Sequence, residues 1–278
     1  MSGVLSFNTK TRDMSNPNNR MFEEFLRFVD KIAPTWFVFE NVYGLTKFKN
    51  GEENIQNHTE NRFRDIGYTV KSKILYASDF GVPQRRNRLF IVGNRNGIDF
   101  EFPKEFDYSV SVDEAISDLP VLGNGEIQMK GEYTVPFEQA SPYAQLMRKK
   151  SKAPTQNIVS RNKDYVVERY KYIGQGENWS SIPDRLMENY ADKKRCHSGI
   201  YKRLIGGKPS VVISNYRKSM LIHPHQDRGL SVREAARLQS FPDHFIFEGP
   251  VSYVQQQIGN AVPPLLAKAV MKKILTYK

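Results

Sequence analysis

The sequence predicts an α/β fold with a second, smaller and irregular region, on three observations. An apolar run at Trp36–Phe39 lacks the polar alternation of a half-exposed strand and ends in Glu40 and Asn41. Apolar residues at helical spacing over 21–32 precede it, a helix-to-strand step typical of βαβ units. From about Asn94 to Met220 the periodicity weakens and basic residues multiply. We therefore expect Trp36–Phe39 to be an interior strand of a parallel sheet, covered on both faces.

Composition limits the possible functions of the chain. Its 278 residues carry a formal net charge of +11, and the pI of about 9.5 favours a polyanionic partner such as nucleic acid. The single cysteine, Cys196, excludes an internal disulfide and a Cys-rich zinc site and fits a reducing compartment. The sequence contains no run of about 18 apolar residues and no signal peptide. We expect a cytoplasmic protein without a membrane or metal partner.

The elements that follow the first strand continue the α/β pattern. A polar helix is predicted around Asn54–Ile66, a strand near Tyr68–Tyr76 and an apolar strand at Leu89–Val92. A carboxylate at the carboxyl end of the first strand, Glu40, would point to the crevice where such sheets bind ligands. The simpler interpretation is that Glu40 caps a loop or pairs with a nearby cation.

A basic segment, Gly81-Val82-Pro83-Gln84-Arg85-Arg86-Asn87-Arg88, leads into the last of these strands. On an extended backbone Gln84, Arg86 and Arg88 lie on one face, because side chains alternate with a period of two. Arginines that face inward need anionic or carbonyl partners, since burying an unpaired charge is costly. The competing interpretation is a solvated basic turn.

The irregular middle of the chain interleaves basic residues with tyrosines and Trp179. Phosphates pair with cations and bases stack on aromatic rings, so this mixture suits nucleic acid. Solvated surface is the competing explanation for any one cluster. The candidate DNA-binding residues are Arg148, Lys149, Lys150, Arg161 and Lys163.

Regular structure returns near the end of the sequence. Ser231 and Glu234 have the spacing of a capping box, and Pro242 is expected to stop the helix that they begin. The segment Gly259–Pro264 is expected to form a turn before a terminal helix with an apolar side. Taken alone, each of these is a structural signal.

In this order, the segments resemble the C-terminal part of the DNA (cytosine-5)-methyltransferase family. The matching stretches are 39–42, 81–88, 233–243 and 259–264, with 112–120 and 223–230 similar to the family's connecting segments. The resemblance implies the C-terminal part of a Rossmann-like S-adenosylmethionine-dependent methyltransferase domain plus a smaller irregular DNA target-recognition domain. It divides the chain into catalytic residues 1–94, recognition domain and connecting helix 95–254, and a return to the catalytic domain at 255–278.

The resemblance also implies site residues. In this family a cysteine thiolate adds to C6 of a flipped-out cytosine, and C5 then takes the methyl group of S-adenosylmethionine. Glu40 would hydrogen-bond to cytosine N3, Arg88 would hold O2, and Gln84 and Arg86 would support them. The remaining assignments are Asn41 and Val42 to the pocket floor, and Asn260, Ala261 and Val262 to the turn that closes the cofactor pocket.

The expected nucleophile is not found in this sequence. Met1-Ser2-Gly3 stands about where the family has Cys-Gln-Gly, Asn8–Arg12 resembles the mobile loop that follows, and the glycine-rich cofactor loop has no match. Cys196 lies in the recognition region, far in sequence from the pocket motifs, so an incidental thiol is the default. His223 and His225 lack a third ligand and are weak evidence for zinc.

We therefore expect a split enzyme whose partners are double-stranded DNA and an N-terminal methyltransferase subunit that carries the cysteine. The isolated chain is expected to be inactive. Two alternatives stay open at this point: a DNA-binding remnant or pseudo-enzyme without methyl transfer, and a single-chain enzyme whose gene model is truncated.

Overall fold

The computed structural model describes residues 21–42, 49–50, 53–188, 198–214, 216 and 220–277. The chain divides into two compact units. The first comprises residues 1–77, 86–105 and 268–278, and the second comprises residues 78–85 and 106–267. The three-part functional division expected from the sequence remains a prediction, because compactness alone does not assign a function to a segment.

The described residues form helices and short sheets. The helices are α1 (Met21–Ile32), α2 (Ile55–Asp65), α3 (Val112–Ile116), α4 (Pro142–Arg148), α5 (Asp164–Tyr170), α6 (Val232–Leu238), α7 (Val251–Asn260) and α8 (Pro264–Leu275). The strands are β1 (Trp36–Val42), β2 (Lys49–Asn50), β3 (Glu53–Asn54), β4 (Thr69–Tyr76), β5 (Asn87–Asn94), β6 (Ile127–Lys130) and β7 (Thr155–Ile158). The predicted elements α1, β1, α2, β4, β5, α6 and α8 are confirmed, whereas α3, α4, α5 and α7 were not predicted.

The principal sheet is antiparallel, which corrects the parallel sheet expected from the sequence. Its strand order is β1-β5-β4, and β5 runs antiparallel to both neighbours. The link between β4 and β5 spans only residues 77–86, too short for the crossover helix that parallel neighbours in sequence need. Burial along β1 alternates, with Phe37, Phe39 and Asn41 buried and the residues between them half-buried.

An aromatic core lies on one face of this sheet in the first unit. The rings of Phe37 and Phe63 have centroids 4.3 Å apart, and Phe22 packs edge-on against Phe39 and Phe63. Gly93 stands opposite Phe37 across β1 and β5. A Cβ at Gly93 would come within 2.1 Å of the Phe37 ring, so the glycine makes room for the aromatic residue.

The second unit is built around α6, whose seven residues are all buried. The capping box predicted for this helix is present: Ser231 Oγ accepts from the Glu234 backbone N–H, and the Glu234 carboxylate accepts from the Ser231 N–H. Gly259, expected in a turn, belongs to the last turn of α7. A Cβ on Gly259 would lie 1.6 Å from the backbone oxygen of Ser214, so only glycine allows this approach. Within the described ranges no helix combines the length and apolar character needed to cross a bilayer.

Candidate active site

Glu40 and Arg88 meet on one face of the first unit's sheet. Val42 pairs with Arg88 across the two strands and Glu40 pairs with Phe90, so the two charged side chains are diagonal neighbours. Arg88 Nε lies 2.7 Å from Glu40 Oε1, with 11% of the arginine side chain and 25% of the glutamate side chain exposed. The ion pair is therefore shielded but still reachable from solvent.

Burial shifts the pKa values of this pair. Desolvation raises the pKa of Glu40 above its usual value, and the charges of Arg88 and Arg86 offset that rise only in part. Burial, followed by the charge of Arg88, lowers the pKa of Arg86 to about 9. The pKa of Arg88 is also lowered by burial, although Glu40 opposes this. A raised pKa lets the Glu40 carboxyl take up a proton more readily than an exposed glutamate, and a carboxyl group donates a hydrogen bond only in its protonated form.

Side chains over residues 84–88 alternate between buried and more exposed, as the sequence predicted. Gln84, Arg86 and Arg88 are buried, whereas Arg85 is exposed and Asn87 is half-buried. The backbone oxygen of Arg86 accepts from the Ala77 N–H at 2.8 Å, which fixes the start of β5. The side chains of Arg86 and Arg88 thus project from the same side of the chain within the first unit.

The two predicted pocket-floor residues lie on opposite faces of β1. Val42 shares the face of Glu40, whereas Asn41 is buried on the side of Phe37 and Phe39. The Asn41 Oδ1 atom accepts from the Val42 N–H at 2.8 Å. Any influence of Asn41 on a ligand beside Glu40 would pass through the backbone of Val42, and its assignment to the pocket floor remains a prediction.

Gln84 belongs to the second unit and is fully buried there. Its Nε2 donates to the Leu238 carbonyl at 3.2 Å and to Gln239 Oε1 at 2.8 Å, and its Oε1 accepts from the Ile213 N–H at 3.0 Å. These bonds tie the segment before β5 to the end of α6. The structure thus gives Gln84 a structural role within that unit, and its predicted support of catalysis is untested.

A buried charge network in the second unit was missed by the sequence analysis. Arg237 Nε contacts Asp243 Oδ1 at 2.6 Å, its Nη1 donates to Asp118 Oδ1 at 2.9 Å, and Tyr133 Oη donates to Asp243 Oδ2 at 2.6 Å. Burial alone would lower the pKa of Arg237, but the two aspartates outweigh it and raise that pKa. Each charge is paired, so the network is structural, and no local pattern at Asp118 or Asp243 indicated it.

The two histidines considered for zinc have protein partners. His225 Nε2 lies 2.8 Å from Asp113 Oδ1, and His223 Nδ1 accepts from the His225 N–H at 3.1 Å. No group of three or more His, Cys, Asp or Glu side chains suited to a metal ion occurs in the described part of the chain. Cys196, Met1–Gly3 and Asn8–Arg12 lie outside the described residues.

Known proteins identify the family. The family model for C-5 cytosine-specific DNA methylases matches residues 4–276. This chain belongs to that family. It is 33% identical over 288 residues to the Type II methyltransferase M.DdeI of Desulfomicrobium norvegicum, covering 96% of this chain and 69% of that protein. It is 34% identical to the Type II methyltransferase M1.HphI of Haemophilus parahaemolyticus, covering 94% of this chain but 62% of that protein.

Solved structures agree on the fold of this cytosine methylase. A prophage-encoded protein of Escherichia coli, described as a DNA modification methyltransferase, has a TM-score of 0.68 at 23% identity and covers 94% of this chain and 74% of its own. The Entamoeba histolytica methyltransferase EhMeth has a TM-score of 0.56 at 12% identity, with coverage of 100% and 74%. These similarities confirm the predicted α/β methyltransferase fold. At these identities they carry no information on function.

Cytosine-5 methylases take their methyl group from S-adenosylmethionine. In this chain Asn260 is the last residue of α7, Ala261 and Val262 follow it, and all three residues are half-buried. The Ala261 N–H bonds back to the Gln257 carbonyl at 3.1 Å, and among the described residues no hydrogen bond engages the Asn260 side chain. A hydrogen-bonded backbone beside a partly exposed Asn260 side-chain amide fits one wall of a cofactor pocket. The assignment of these residues remains a prediction.

The predicted DNA-binding residues of this methylase differ in exposure. Lys149, Lys150, Arg161 and Lys163 are exposed, whereas Arg148 is only 7% exposed. Arg148 Nη1 lies 3.4 Å from Asp118 Oδ2, and its guanidinium carbon is 3.8 Å from the centre of the Tyr133 ring. The cluster of basic residues in the sequence therefore combines exposed lysines with an arginine whose guanidinium already has partners within the protein.

Proposed function

We propose that this chain forms part of the cytosine pocket of a DNA cytosine-5 methyltransferase, with S-adenosylmethionine as the methyl donor and double-stranded DNA as the substrate. The observation that carries the proposal is the Glu40–Arg88 pair at 2.7 Å, partly exposed and with the pKa of Glu40 raised. Family membership supports the reaction class. The chain spans 62–69% of the length of the two relatives described above, so the activity of the whole protein is part of this proposal.

The two side chains match one edge of cytosine. The ring nitrogen N3 and the carbonyl oxygen O2 both accept hydrogen bonds and are neighbours on that edge. In its protonated form, which the raised pKa makes more accessible, the Glu40 carboxyl donates to N3, and the Arg88 guanidinium donates to O2. When a nucleophile adds to C6, electron density moves toward N3, and a donor at that atom stabilises the developing charge. Arg86 adds positive charge beside the same carboxyl.

The sequence has no cysteine near the pocket motifs that could supply the nucleophilic thiol. Its single cysteine, Cys196, belongs to the region assigned to DNA recognition. We propose that the thiol comes from polypeptide outside these 278 residues, either a separate N-terminal subunit or residues contiguous with this sequence. The same observation favours a second candidate function, a DNA-binding remnant or pseudo-enzyme without methyl transfer.

Transfer of labelled methyl groups from S-adenosylmethionine to duplex DNA tests the proposal. The chain is assayed alone and with a polypeptide that carries the family's glycine-rich loop and Pro-Cys segment. We expect transfer only in the mixture, and we expect Glu40→Gln to lower its rate at least about 100-fold, the size typical of losing one acid catalyst, with little change in DNA affinity. The matched control is Glu101→Gln, an exposed glutamate in the same unit.

The other outcomes separate the alternatives. Methyl transfer by the isolated chain that is lost in Cys196→Ala would show that the thiol is Cys196. An unchanged rate in Glu40→Gln would remove Glu40 from the pocket. DNA binding without transfer in any mixture would favour the DNA-binding remnant.

A further inference from the structure

A groove of about 1070 Å³ opens on the surface of the second unit. Its lining includes Lys130 from β6, Lys152 from the segment before β7, and Arg148 from the end of α4. Lys130 and Lys152 are exposed, and no ion pair among the described residues uses either of them. In the sequence, Lys152 belongs to the basic cluster that begins at Arg148, whereas Lys130 is distant from it and is brought to the same groove only by the fold.

Arg148 gives the groove a fixed donor. Its guanidinium carbon lies 3.8 Å from the ring centre of Tyr133 and 5.6 Å from that of Phe137. The Nη1 atom contacts Asp118 Oδ2 at 3.4 Å and donates to the Val135 carbonyl at 3.2 Å. No bond from Nε or Nη2 is found within the described ranges. An arginine whose plane is held by rings can offer its remaining N–H groups without losing side-chain entropy.

The groove chemistry favours a phosphodiester backbone. A ring-held guanidinium suits a phosphate, which accepts two parallel N–H bonds, and flexible lysines act as point charges beside it. One acidic residue, Glu132, also lines the groove and opposes an anion. The volume is far larger than one phosphate group, and Gln128 and Thr134 line it together with the basic side chains. This combination of size and donors fits a chain of phosphates better than a single small anion.

We propose that this groove, the lysine groove, binds the sugar–phosphate backbone of double-stranded DNA, with Arg148 at one phosphate and Lys130 and Lys152 beside its neighbours. This rests on the proposed function, which makes DNA the substrate, and adds the surface that positions it. Contacts of this kind set the register of a protein on DNA without reading its sequence. The groove therefore binds DNA of any base sequence, whether or not it contains the methylation target.

The test is the salt dependence of binding between the full chain and a fluorescent duplex of arbitrary sequence, measured by anisotropy. Each phosphate contact contributes about 0.9 to the slope of log K against log salt concentration. Lys130→Gln combined with Lys152→Gln should lower the slope by about 2. The matched control, Lys104→Gln with Lys272→Gln, removes the same charge from exposed lysines outside the groove and should leave the slope near that of the unaltered chain.

Two further arms sharpen the result. Glu132→Gln should tighten binding, because it removes a negative charge from the groove. Inorganic phosphate, titrated against the same complex at constant ionic strength, should compete only weakly if the site takes a chain of phosphates. Equal slope changes in the groove and control variants, or full competition by phosphate alone, would overturn the proposal.

The outcome is independent of the cytosine pocket. The groove variants should lower the salt slope of DNA binding, whereas Glu40→Gln should lower the methyl-transfer rate measured at saturating DNA and keep the slope. A normal rate in Glu40→Gln with a reduced slope in the groove variants would reject the pocket and retain the groove. The reverse pattern would reject the groove alone.

Discussion

Two glutamates of this protein, Glu40 in the first unit and Glu234 in the second, both pair with arginine, but their pKa values shift in opposite directions. Glu234 is 2% exposed and accepts two bonds from Arg228, at 2.9 and 2.7 Å, and one from the Ser231 N–H at 2.7 Å. Burial would raise its pKa, but the charge and bonds of Arg228 prevail and lower it to about 2. Glu40 has a single 2.7 Å contact with Arg88, and burial keeps its pKa raised.

The difference separates a structural carboxylate from one available for chemistry. A lowered pKa means that folding stabilises the charged form, so ionised Glu234 contributes to stability at neutral pH. A raised pKa has the opposite sign: the contribution of Glu40 is present below its unfolded pKa and is lost as pH rises through the folded value. Ionised Glu40 is therefore a cost to the fold, as expected where a site is arranged for a ligand.

The largest expected contrast comes from removing each charge. Glu234→Gln leaves Arg228 buried without its counter-charge and should lower the free energy of unfolding by about 3–5 kcal/mol. Glu40→Gln at pH 7 should change it by less than about 1 kcal/mol, because its pair is partly exposed. Urea denaturation of both variants measures the difference. A loss in Glu40→Gln equal to that in Glu234→Gln would make Glu40 a structural residue.

Two glycines extend the comparison to packing. Gly259→Ala places a Cβ against the backbone of Ser214, which cannot rotate away, and should cost about 3 kcal/mol. Gly93→Ala meets the Phe37 ring, a side chain that can turn, and should cost about 1–2 kcal/mol.

Combining Gly93→Ala with Phe37→Leu tests this explanation through a double-mutant cycle in urea. The smaller side chain should recover part of the loss caused by the new Cβ. Additive losses would show that the ring is not the obstacle, and a Gly259→Ala variant as stable as the unaltered chain would contradict the backbone contact.

The sequence predicted local structure better than it predicted which groups meet. The spacing of apolar residues was enough to predict α1, β4 and β5. The Ser231 and Glu234 pair was enough to predict the start of α6, because both kinds of signal are local in the sequence. It located β1 correctly but misjudged its surroundings, since four apolar residues in a row resemble an interior parallel strand although only alternate side chains are buried.

Contacts between distant residues could not be predicted from spacing. The pairing of Glu40 with Arg88 depends on the register between β1 and β5, and family resemblance suggested the two residues without giving their contact. Arg148 was grouped with Lys149 because they are adjacent, yet its partners Asp118 and Tyr133 come from other parts of the second unit. Long-range pairing of this kind leaves no periodic trace in a single sequence.

A histidine beside Glu234 should make the second unit sensitive to acid. Burial lowers the pKa of His223 to about 4, although Glu234 opposes this. Between this pKa and the histidine pKa of about 6.5 in the unfolded chain, the unfolded chain binds a proton that the folded chain does not bind. Stability should therefore fall as pH drops from about 6.5 to 4, by roughly 2 kcal/mol.

The histidine variant His223→Asn should remove most of that slope between pH 6.5 and 4, while His244→Asn, at an exposed histidine in the same unit, should keep it. The measurement is the urea midpoint of each variant at intervals through this range. Identical slopes in the two variants would exclude His223 as the group that titrates.

The smallest expected effect on stability concerns the exposed lysines at the end of α4. Lys149→Gln combined with Lys150→Gln should leave the free energy of unfolding within about 0.5 kcal/mol, because neither side chain is buried. If both touch DNA phosphates, the slope of log K against log salt should fall by about 2. Arg148→Gln should instead lower stability, because that guanidinium is held by Asp118 and Tyr133. An unchanged salt slope in the lysine variant would make Lys149 and Lys150 solvated surface that does not contact the DNA backbone.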